Sequence, residues 1–351
     1  MKHLLYTLIG ISCLVACTSS PDSHFPRYSD FAKTKALSAQ VINLDTILFR
    51  YPFRVTVRDS IAVVMDLHNM DHYLHAFTYP GWKHVVSFGR RGEAPEEMLS
   101  VANFQFNSLD SLWALDPNKM QITRWKISPS TRSAERVEEI KLDKELVRSL
   151  DFHTMESGFF IPDYMGEFRY WEVDSNGKPV KSIGEIPGET IDENTVRPAL
   201  AQAWRSFMDY NPDNGILAIA TQLGEVFEIF NLKDNTHKVL YGPAGEPQYK
   251  TAKDGTGVPT GIMGFSDIKV TSKYIYAVFQ GIKFDDKIAA IKQGKEPENG
   301  AKYIYVFDLE GNPVRRYELD RRINSIDINE ETNTIVATEA KSDDPIIEFK
   351  I

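Results

Sequence analysis

The stretch Ser87–Ile127, SFGRRGEAPEEMLSVANFQFNSLDSLWALDPNKMQITRWKI, decides the fold. It begins with a glycine-hinged loop, and three short strands rich in apolar and aromatic residues follow. Tight polar turns separate these strands, such as Ser108–Ser111 and Asp116–Met120. Alternating strands and turns of this kind predict an antiparallel β-meander. The same unit recurs along the chain, so we expect a protein built from copies of it.

Four-strand groups repeat five times after the first 37 residues. The clearest copies of their third and fourth strands are FRYWEVDSNGKPVKSI from Phe168, EVFEIFNLKDNTHKVL from Glu225 and YIYVFDLEGNPVRRYEL from Tyr303. Two of these copies contain hairpin dipeptides, Asn176-Gly177 and Gly311-Asn312, whose residues tolerate positive φ. Repeats of roughly 45 to 60 residues with four strands each are typical of a β-propeller.

A sixth group contains only three strands, Ile323–Ile328, Asn333–Thr338 and Ile346–Ile351. One strand is left over near the other end of the chain, Gln40–Leu44. Because a propeller closes its ring by completing the last blade with an N-terminal strand, the surplus strand matches the missing one. The sequence therefore predicts an all-β, six-bladed β-propeller over residues 38–351, its last blade closed by the N-terminal strand. An open β-sandwich pair is the alternative, and it explains neither the repeat nor the missing strand.

The N-terminus has the pattern of a secretory signal. Lys2 precedes an apolar run, Leu4–Ala16, that is too short to span a bilayer. The run ends Leu14-Val15-Ala16-Cys17, which resembles a bacterial lipobox. We expect residues 1–16 to be a lipoprotein signal peptide, Cys17 to be the lipidation site, and residues 17–37 to be a polar, proline-marked tether. An ordinary signal peptide cut near Ala16 is the alternative.

Composition limits the stability and the partners of the chain. The net charge is −9 and no cluster of Lys and Arg stands out, which argues against nucleic-acid binding. Of the two cysteines, Cys13 would leave with the signal and Cys17 would carry lipid. The mature chain would then contain no disulfide, so its stability must come from the apolar core.

The lipobox, the tether, the six repeats and the motif Gly89-x-x-Gly92-x-x-Pro95-x-Glu97 together resemble six-bladed β-propeller lipoproteins with NHL-like and TolB-like repeats. Members of that family more often have Gly-Pro-Gly-Glu-Phe in the second half of the motif, so Ala94, Glu96 and Met98 are departures. The resemblance implies a fold and a location in the bacterial cell envelope, lipid-anchored and most often at the outer membrane, on its periplasmic or surface side. It implies no single activity.

The long connections predict where a ligand would bind. Loops between second and third strands and between blades share one face of a propeller, and here they are the long ones: Gly89–Ser100, Pro187–Trp204, Gly242–Met263 and Gly281–Lys302. Binding residues usually lie on long loops of a rigid scaffold. We therefore predict a binding site on this face, over the central channel.

Four residues are the binding candidates on that face. Arg90 and Arg91 could grip a carboxylate or phosphate, or could pair with Glu93, Glu96 or Glu97 and fix their own loop. Trp204 and Arg205 could form a stacking platform for a sugar or peptide, or could pack between blades. The partner predicted from this set is a glycan, a peptide or a protein, in addition to the membrane lipid.

Catalytic and metal signatures are missing from the sequence. No G-x-S-x-G, H-E-x-x-H or phosphate-cradling loop occurs. His68, His72 and His75 have helical spacing in a segment predicted as strands, so we expect no metal site and no cofactor. The favoured function is a non-catalytic binding module, and the alternative is a propeller hydrolase or lyase with its site at the channel. Acidic side chains converging there with His153 would favour the enzyme.

Overall fold

Polar turns fold successive strands back on one another, so the chain forms antiparallel sheets arranged as six blades. The computed structural model describes residues 25–44, 47–339 and 341–351. The described chain begins with two short strands, β1 (Thr34–Leu37) and β2 (Gln40–Ile42). The six blades follow in sequence order, and both short strands are added to the last two of them.

Blades 1 to 3 each consist of four consecutive strands. Blade 1 contains β3 (Pro52–Arg58), β4 (Ile61–Asp66), β5 (His72–Thr78) and β6 (His84–Arg90). Blade 2 contains β7 (Asn103–Ser108), β8 (Ser111–Asp116), β9 (Gln121–Ser128) and β10 (Ser133–Lys141). Blade 3 contains β11 (His153–Met155), β12 (Gly158–Pro162), β13 (Tyr170–Asp174) and β14 (Pro179–Ile183).

Blades 4 to 6 are joined by longer connections that fold into small elements of their own. The helix α1 (Arg197–Ala203) precedes blade 4, whose strands are β15 (Ser206–Asn211), β16 (Ile216–Thr221), β17 (Val226–Asn231) and β18 (Thr236–Tyr241). A hairpin of β19 (Tyr249–Thr251) and β20 (Gly257–Pro259) leads to blade 5, with β21 (Ile262–Val270), β22 (Tyr274–Lys283), α2 (Phe284–Lys292), β23 (Ala301–Asp308) and β24 (Pro313–Ile323). Blade 6 adds β25 (Ser325–Asn329), β26 (Thr334–Thr338) and β27 (Ile346–Lys350).

The first strand of each blade lies innermost, since these strands contact one another around the ring. Middle strands are buried on both faces, because each blade packs between two neighbours. All six residues of β4 and of β16 are buried, for example. The core therefore consists of apolar layers between adjacent blades; Val63 of blade 1 and Phe104 of blade 2 belong to one such layer.

Two faces of the ring differ in their loops. The turn face is formed by the tight turns between first and second and between third and fourth strands, such as Asp59–Ser60 and Glu156–Ser157. Gly177 and Gly311, in two of the turns predicted from sequence, have φ of 79° and 85°, values that favour glycine. The connection face holds the loops between second and third strands and the links between blades.

The ring closes where the sequence predicted. Strand β2 pairs antiparallel with β27, with Gln40 opposite Glu348, Val41 opposite Ile347 and Ile42 opposite Ile346. Strand β2 thus becomes the outermost strand of blade 6. This confirms an all-β, six-bladed propeller whose last blade is closed by an N-terminal strand.

Residues 25–37 lie along the outside of blades 4 and 5, although the sequence suggested a free tether up to residue 37. Strand β1 pairs in parallel with β24 and becomes a fifth strand of blade 5. Aromatic side chains explain the attachment: the Tyr28 ring meets Phe307 edge-on at 5.2 Å, and the Phe31 ring lies 4.6 Å from Tyr305. Residues 1–24, with the predicted signal and Cys17, lie outside the described residues. Neither helix of the described chain is long and apolar enough to cross a membrane.

We expect loss of β2 to destabilise the whole ring. A chain that begins at Ser38 keeps the closing strand but lacks β1, whereas a chain that begins at Ile47 lacks both. The second truncation should melt at a markedly lower temperature than the first and should aggregate, because it exposes the edge of β27. Thermal unfolding followed by circular dichroism compares the two. Equal melting temperatures would show that closure by β2 contributes nothing.

Candidate functional site

Carboxylates on the innermost strands join neighbouring blades at the central channel. Four aspartates recur at intervals of about 60 residues, one on or just before the first strand of each of blades 3 to 6. Each accepts a hydrogen bond from a backbone N–H of the next blade: Asp151 from Met208 (2.9 Å), Asp209 from Val270 (2.7 Å), Asp267 from Ile326 (2.9 Å) and Asp327 from Val57 (2.6 Å). We call these four contacts the interblade clasps.

Cations in the channel balance these buried acids. The guanidinium of Arg54 lies 3.8 Å from Asp267 and is 5 % exposed. It also lies over the rings of Phe53 and Phe207, at 4.2 and 4.8 Å. The Lys269 ammonium is the second cation; burial tends to lower its pKa, but Asp267 and neighbouring carboxylates raise it above its usual value. The channel wall is therefore a charge-paired network.

Asp151 is the acid with the weakest compensation. Burial raises the pKa of Asp151 to about 6, despite the opposing effects of Arg54 and of the Met208 amide. The Asn103 side-chain amide also donates to it, in a very short contact. Asp209 differs, because Lys269 and His153 outweigh burial and hold its pKa below the usual value.

A cavity with a volume of about 1060 Å³ opens on the turn face beside this channel. Tight turns between first and second strands surround it, contributed by blades 1 to 4. Its lining combines channel residues with the exposed edge of blade 2: Arg58, Gln105, Asn107, Trp113, Arg124, Glu138, His153, Glu156, Ser157, Asp209, Tyr210 and Asp213 are among them. We call it the turn-face cavity.

Charged side chains of both signs line this cavity. Arg124 donates to Glu138 at 2.8 Å, and its guanidinium lies over the Trp113 ring at 5.6 Å. Exposed Arg58 reaches Asp327 at 3.3 Å. The cavity thus offers paired charges and half-buried aromatic rings.

His153 lies at the inner end of the cavity, with both ring nitrogens engaged. Its Nδ1 is 2.8 Å from the Thr154 carbonyl oxygen, and its Nε2 is 3.4 Å from Oδ1 of Asp209. Both neighbours are hydrogen-bond acceptors, so each ring nitrogen is engaged by an oxygen of the protein. Such a ring presents no free nitrogen to a substrate in this conformation.

The arginines predicted to bind a ligand are placed on the connection face between blades 1 and 2. Arg90 is exposed and its Nε is 3.3 Å from Glu97, so it makes one of the loop-fixing pairs considered from sequence. Arg91 donates to the Asn69 carbonyl at 3.2 Å, and its guanidinium lies 5.7 Å from the centre of the Tyr73 ring. Arg90 thus fixes its own loop and Arg91 ties that loop to the loop between β4 and β5, and both side chains remain exposed.

Trp204 and Arg205 lie between blades 3 and 4, far along the ring from the arginine pair. Trp204 is 3 % exposed, so its ring is no open stacking platform; it packs between blades instead. The Arg169 guanidinium lies over it at 5.7 Å and forms a buried ion pair with Glu228 at 2.7 Å. Arg205 is half-buried next to it. None of the four predicted residues lines the turn-face cavity.

The aspartates of the channel wall beside this cavity are visible in the sequence as a regular spacing. The clasp aspartates follow small or apolar residues in SLD, FMD, FSD and SID, once in each of the last four repeats. That period marks the channel wall. Nothing in the sequence shows that the short turns beside it surround a cavity, because cavity depth depends on how blades tilt against each other.

Histidines of blade 1 are held by neighbouring side chains. His75 is buried, its Nδ1 is 2.8 Å from Ser87 Oγ, and burial lowers its pKa to about 4. His68 stacks on Tyr51. Within residues 25–44, 47–339 and 341–351, no group of three His, Cys, Asp or Glu side chains is arranged to hold a metal ion.

Comparison with known proteins gives one family and a set of similar folds. The TolB-like 6-blade propeller-like family matches residues 30–331. No curated protein matches the chain.

Solved structures share the architecture at low sequence identity. A Bacteroides fragilis protein described as exported superposes with a TM-score of 0.59 and 12% identity over 93% of this chain and 98% of its own. A DUF4221 family member from Bacteroides vulgatus superposes with a TM-score of 0.54 and 9% identity, over 91% of this chain and 96% of its own. The calcium-binding protein regucalcin from Agrobacterium tumefaciens superposes with a TM-score of 0.53 and 12% identity, over 91% of this chain and 96% of its own. At such identities the likeness shows the fold alone.

We expect Asp151→Asn to change the pH dependence of stability. Because the folded-state pKa of Asp151 is raised from 3.8 to about 6, its contribution to stability is fully present below the lower value and is lost as pH rises through the higher one. Asn stays neutral at both pH values. From pH 4 to 7.5 the free energy of unfolding should therefore change in favour of the variant, relative to wild type, by up to about 3 kcal/mol. Urea denaturation at both pH values measures this.

Asp174→Asn serves as the control of opposite sign. The Lys178 backbone amide lowers the pKa of half-buried Asp174, so its contribution to stability is lost as pH falls. That variant should lose stability relative to wild type as pH rises. If the difference in free energy of unfolding between Asp151→Asn and wild type stays constant with pH, the raised pKa assigned to Asp151 is wrong.

Proposed function

Because the chain belongs to the TolB-like 6-blade propeller-like family, we propose that it is a lipid-anchored, non-catalytic recognition module of the bacterial cell envelope. Its ligand is an extended peptide segment of a protein partner, bound in the turn-face cavity. The observation that carries this proposal is the cavity itself, about 1060 Å³ on a rigid ring and lined by charges of both signs and aromatic rings.

The anchor rests on the N-terminal sequence. Leu14-Val15-Ala16-Cys17 has the form of a lipobox, and lipid on Cys17 would hold the propeller at a membrane, most simply the outer membrane. The described chain starts at the outside of blade 4, where the Phe25 ring stacks on Tyr241 at 5.4 Å. None of residues 25–37 lines the turn-face cavity, so an anchored chain keeps that cavity open to a partner.

A peptide suits this lining better than a sugar. Sugar recognition uses open aromatic faces, and here the Trp113 ring is covered by Arg124 and met by Phe159 at 5.3 Å. Tyr210 is likewise packed edge-to-face against Phe160 at 5.2 Å. A peptide instead needs hydrogen-bonding groups and charges of both signs, which Arg58, Arg124 and Asp213 supply at the rim.

A hydrolase or lyase is the second candidate, favoured by one observation. Acidic side chains do converge on the channel with His153, and Asp209 contacts its ring. The clasps, however, commit these carboxylates to backbone amides, and both nitrogens of His153 face acceptors. A general base needs a free lone pair within reach of the substrate. The geometry therefore supports binding over catalysis.

Ser157→Trp should block peptide binding. Ser157 is exposed in the turn between β11 and β12 and lines the cavity, so an indole there fills the space without removing a core contact. We expect wild-type protein to enrich peptides from a phage-displayed random 12-mer library. The affinity of an enriched peptide, measured by fluorescence anisotropy, should fall about tenfold or more in the variant.

Ser130→Trp is the matched control, since Ser130 is exposed in the turn between β9 and β10 on the same face and does not line the cavity. It should bind as wild type does. If Ser157→Trp retains affinity while Ala at Arg90 and Arg91 abolishes it, the connection face is the working face. If the protein binds on a glycan array and enriches no peptide, its ligand is a sugar and not a peptide.

Cys17→Ser should prevent anchoring. Without the thiol there is no acceptor for the lipid, so the protein should accumulate unprocessed or be released in soluble form. Membrane fractionation with detergent partitioning measures this, with Cys13→Ser as the control that keeps the acceptor. A Cys17→Ser protein that is cut at the same place and remains membrane-bound at the wild-type level excludes lipid on this residue.

A further inference from the structure

A second, smaller cavity lies beside the turn-face cavity, between blades 3 and 4. Its volume is about 480 Å³. Four residues line both spaces, Met155, Glu156, Ser157 and Tyr210, so the two are continuous across the turn between β11 and β12. The other lining residues include Phe160, Tyr170, Glu172, Lys181, Ile183, Phe230, Leu232 and Asn235. We call this space the side cleft.

Aromatic rings packed edge-to-face form the inner wall of the side cleft. The Tyr170 ring meets Phe160 at 5.6 Å and Phe230 at 5.1 Å, both nearly perpendicular. Ile183 and Leu232 pack against the same cluster. The wall is thus apolar and rigid, unlike the charged lining of the turn-face cavity.

Tyr170 lines the side cleft and carries one polar side-chain atom, its hydroxyl. The residue is fully buried, and its hydroxyl has no hydrogen-bond partner among the described residues. Burial raises the pKa of Tyr170 well above its usual value, so the hydroxyl keeps its proton and is a donor. A buried donor without an acceptor costs free energy, and an acceptor from a ligand removes that cost.

Three other buried tyrosines of the propeller donate their hydroxyl proton to an acceptor of the protein. The hydroxyl of Tyr28 donates to Glu225 at 3.0 Å, that of Tyr73 to the Leu99 carbonyl at 2.8 Å, and that of Tyr241 to the Pro187 carbonyl. Tyr170 differs from these three tyrosines. It lines the open side cleft, and its hydroxyl has no partner among the described residues.

We propose that the side cleft is the subsite for a large apolar side chain of the bound peptide, with the Tyr170 hydroxyl donating to a carbonyl oxygen of that residue. The proposal rests on the proposed function, since it deepens the specificity of the same site. A peptide that crosses the turn at Ser157 would place charged or polar residues in the turn-face cavity and its aromatic or large aliphatic residue in the cleft.

Tyr170→Phe tests the donor with N-acetyl-L-phenylalaninamide as the probe and N-acetylglycinamide as the probe without a side chain. Binding is measured by saturation-transfer NMR and by competition with an enriched peptide. We expect wild type to bind the phenylalanine probe and not the glycine probe, and Tyr170→Phe to bind it about tenfold more weakly. The melting temperature of the free variant should equal or exceed that of wild type, because an unpartnered donor has been removed.

Tyr73→Phe is the matched control. It removes a satisfied hydroxyl in blade 1, so it should lower the melting temperature and leave probe binding unchanged. A purely structural role of Tyr170 predicts the same behaviour for both variants.

Ile183→Trp fills the cleft and separates the two proposals. Loss of the preference for apolar residues, with peptide binding retained at lower affinity, supports the subsite. If Tyr170→Phe and Ile183→Trp both bind the probe as wild type does while Ser157→Trp still loses the peptide, the subsite is wrong and the recognition function stands. If the wild type enriches no peptide, the recognition function itself fails.

Discussion

The pairing of β2 with β27 is the constraint on which the rest of the structure depends. A sheet edge in water must be paired or protected, and without β2 blade 6 would have only three strands and an unpaired edge at β27. The three pairs from Gln40–Glu348 to Ile42–Ile346 close the ring. Because every blade then has two neighbours, middle strands such as β4 are apolar on both faces. The core is continuous only because the ring is closed.

Ring closure also creates the central channel and determines which contacts its aspartates make. The inner strands face each other, and their backbone amides at the blade junctions need acceptors. The clasp aspartates supply them, and Arg54 and Lys269 offset the charge. A channel full of carboxylates with a histidine resembles a catalytic centre in composition, yet its groups are already bound to the protein. The proposed recognition site therefore lies outside the channel, in the cavity beside its mouth.

The interface between blades 3 and 4 contains both a buried ion pair and the side cleft. The buried pair of Arg169 and Glu228 fixes these blades near the connection face, where Trp204 packs. Toward the turn face the same blades separate enough to leave the side cleft, with Tyr170 in its wall. Tyr170 directly follows Arg169 in the sequence, so the buried ion pair supports the strand that carries the proposed donor.

The sequence by itself determined the fold: strand alternation, turn dipeptides and the match between a spare strand and a missing one specify six blades, because such patterns are local. It also contained the aspartate period of the channel wall. Tertiary structure alone decided that Trp204 is buried, that residues 25–37 attach through Tyr28 and Phe31, and that the cavity opens beside short turns. These outcomes depend on contacts between blades some 60 residues apart, and loop length carries no information about the space that packed blades leave between them.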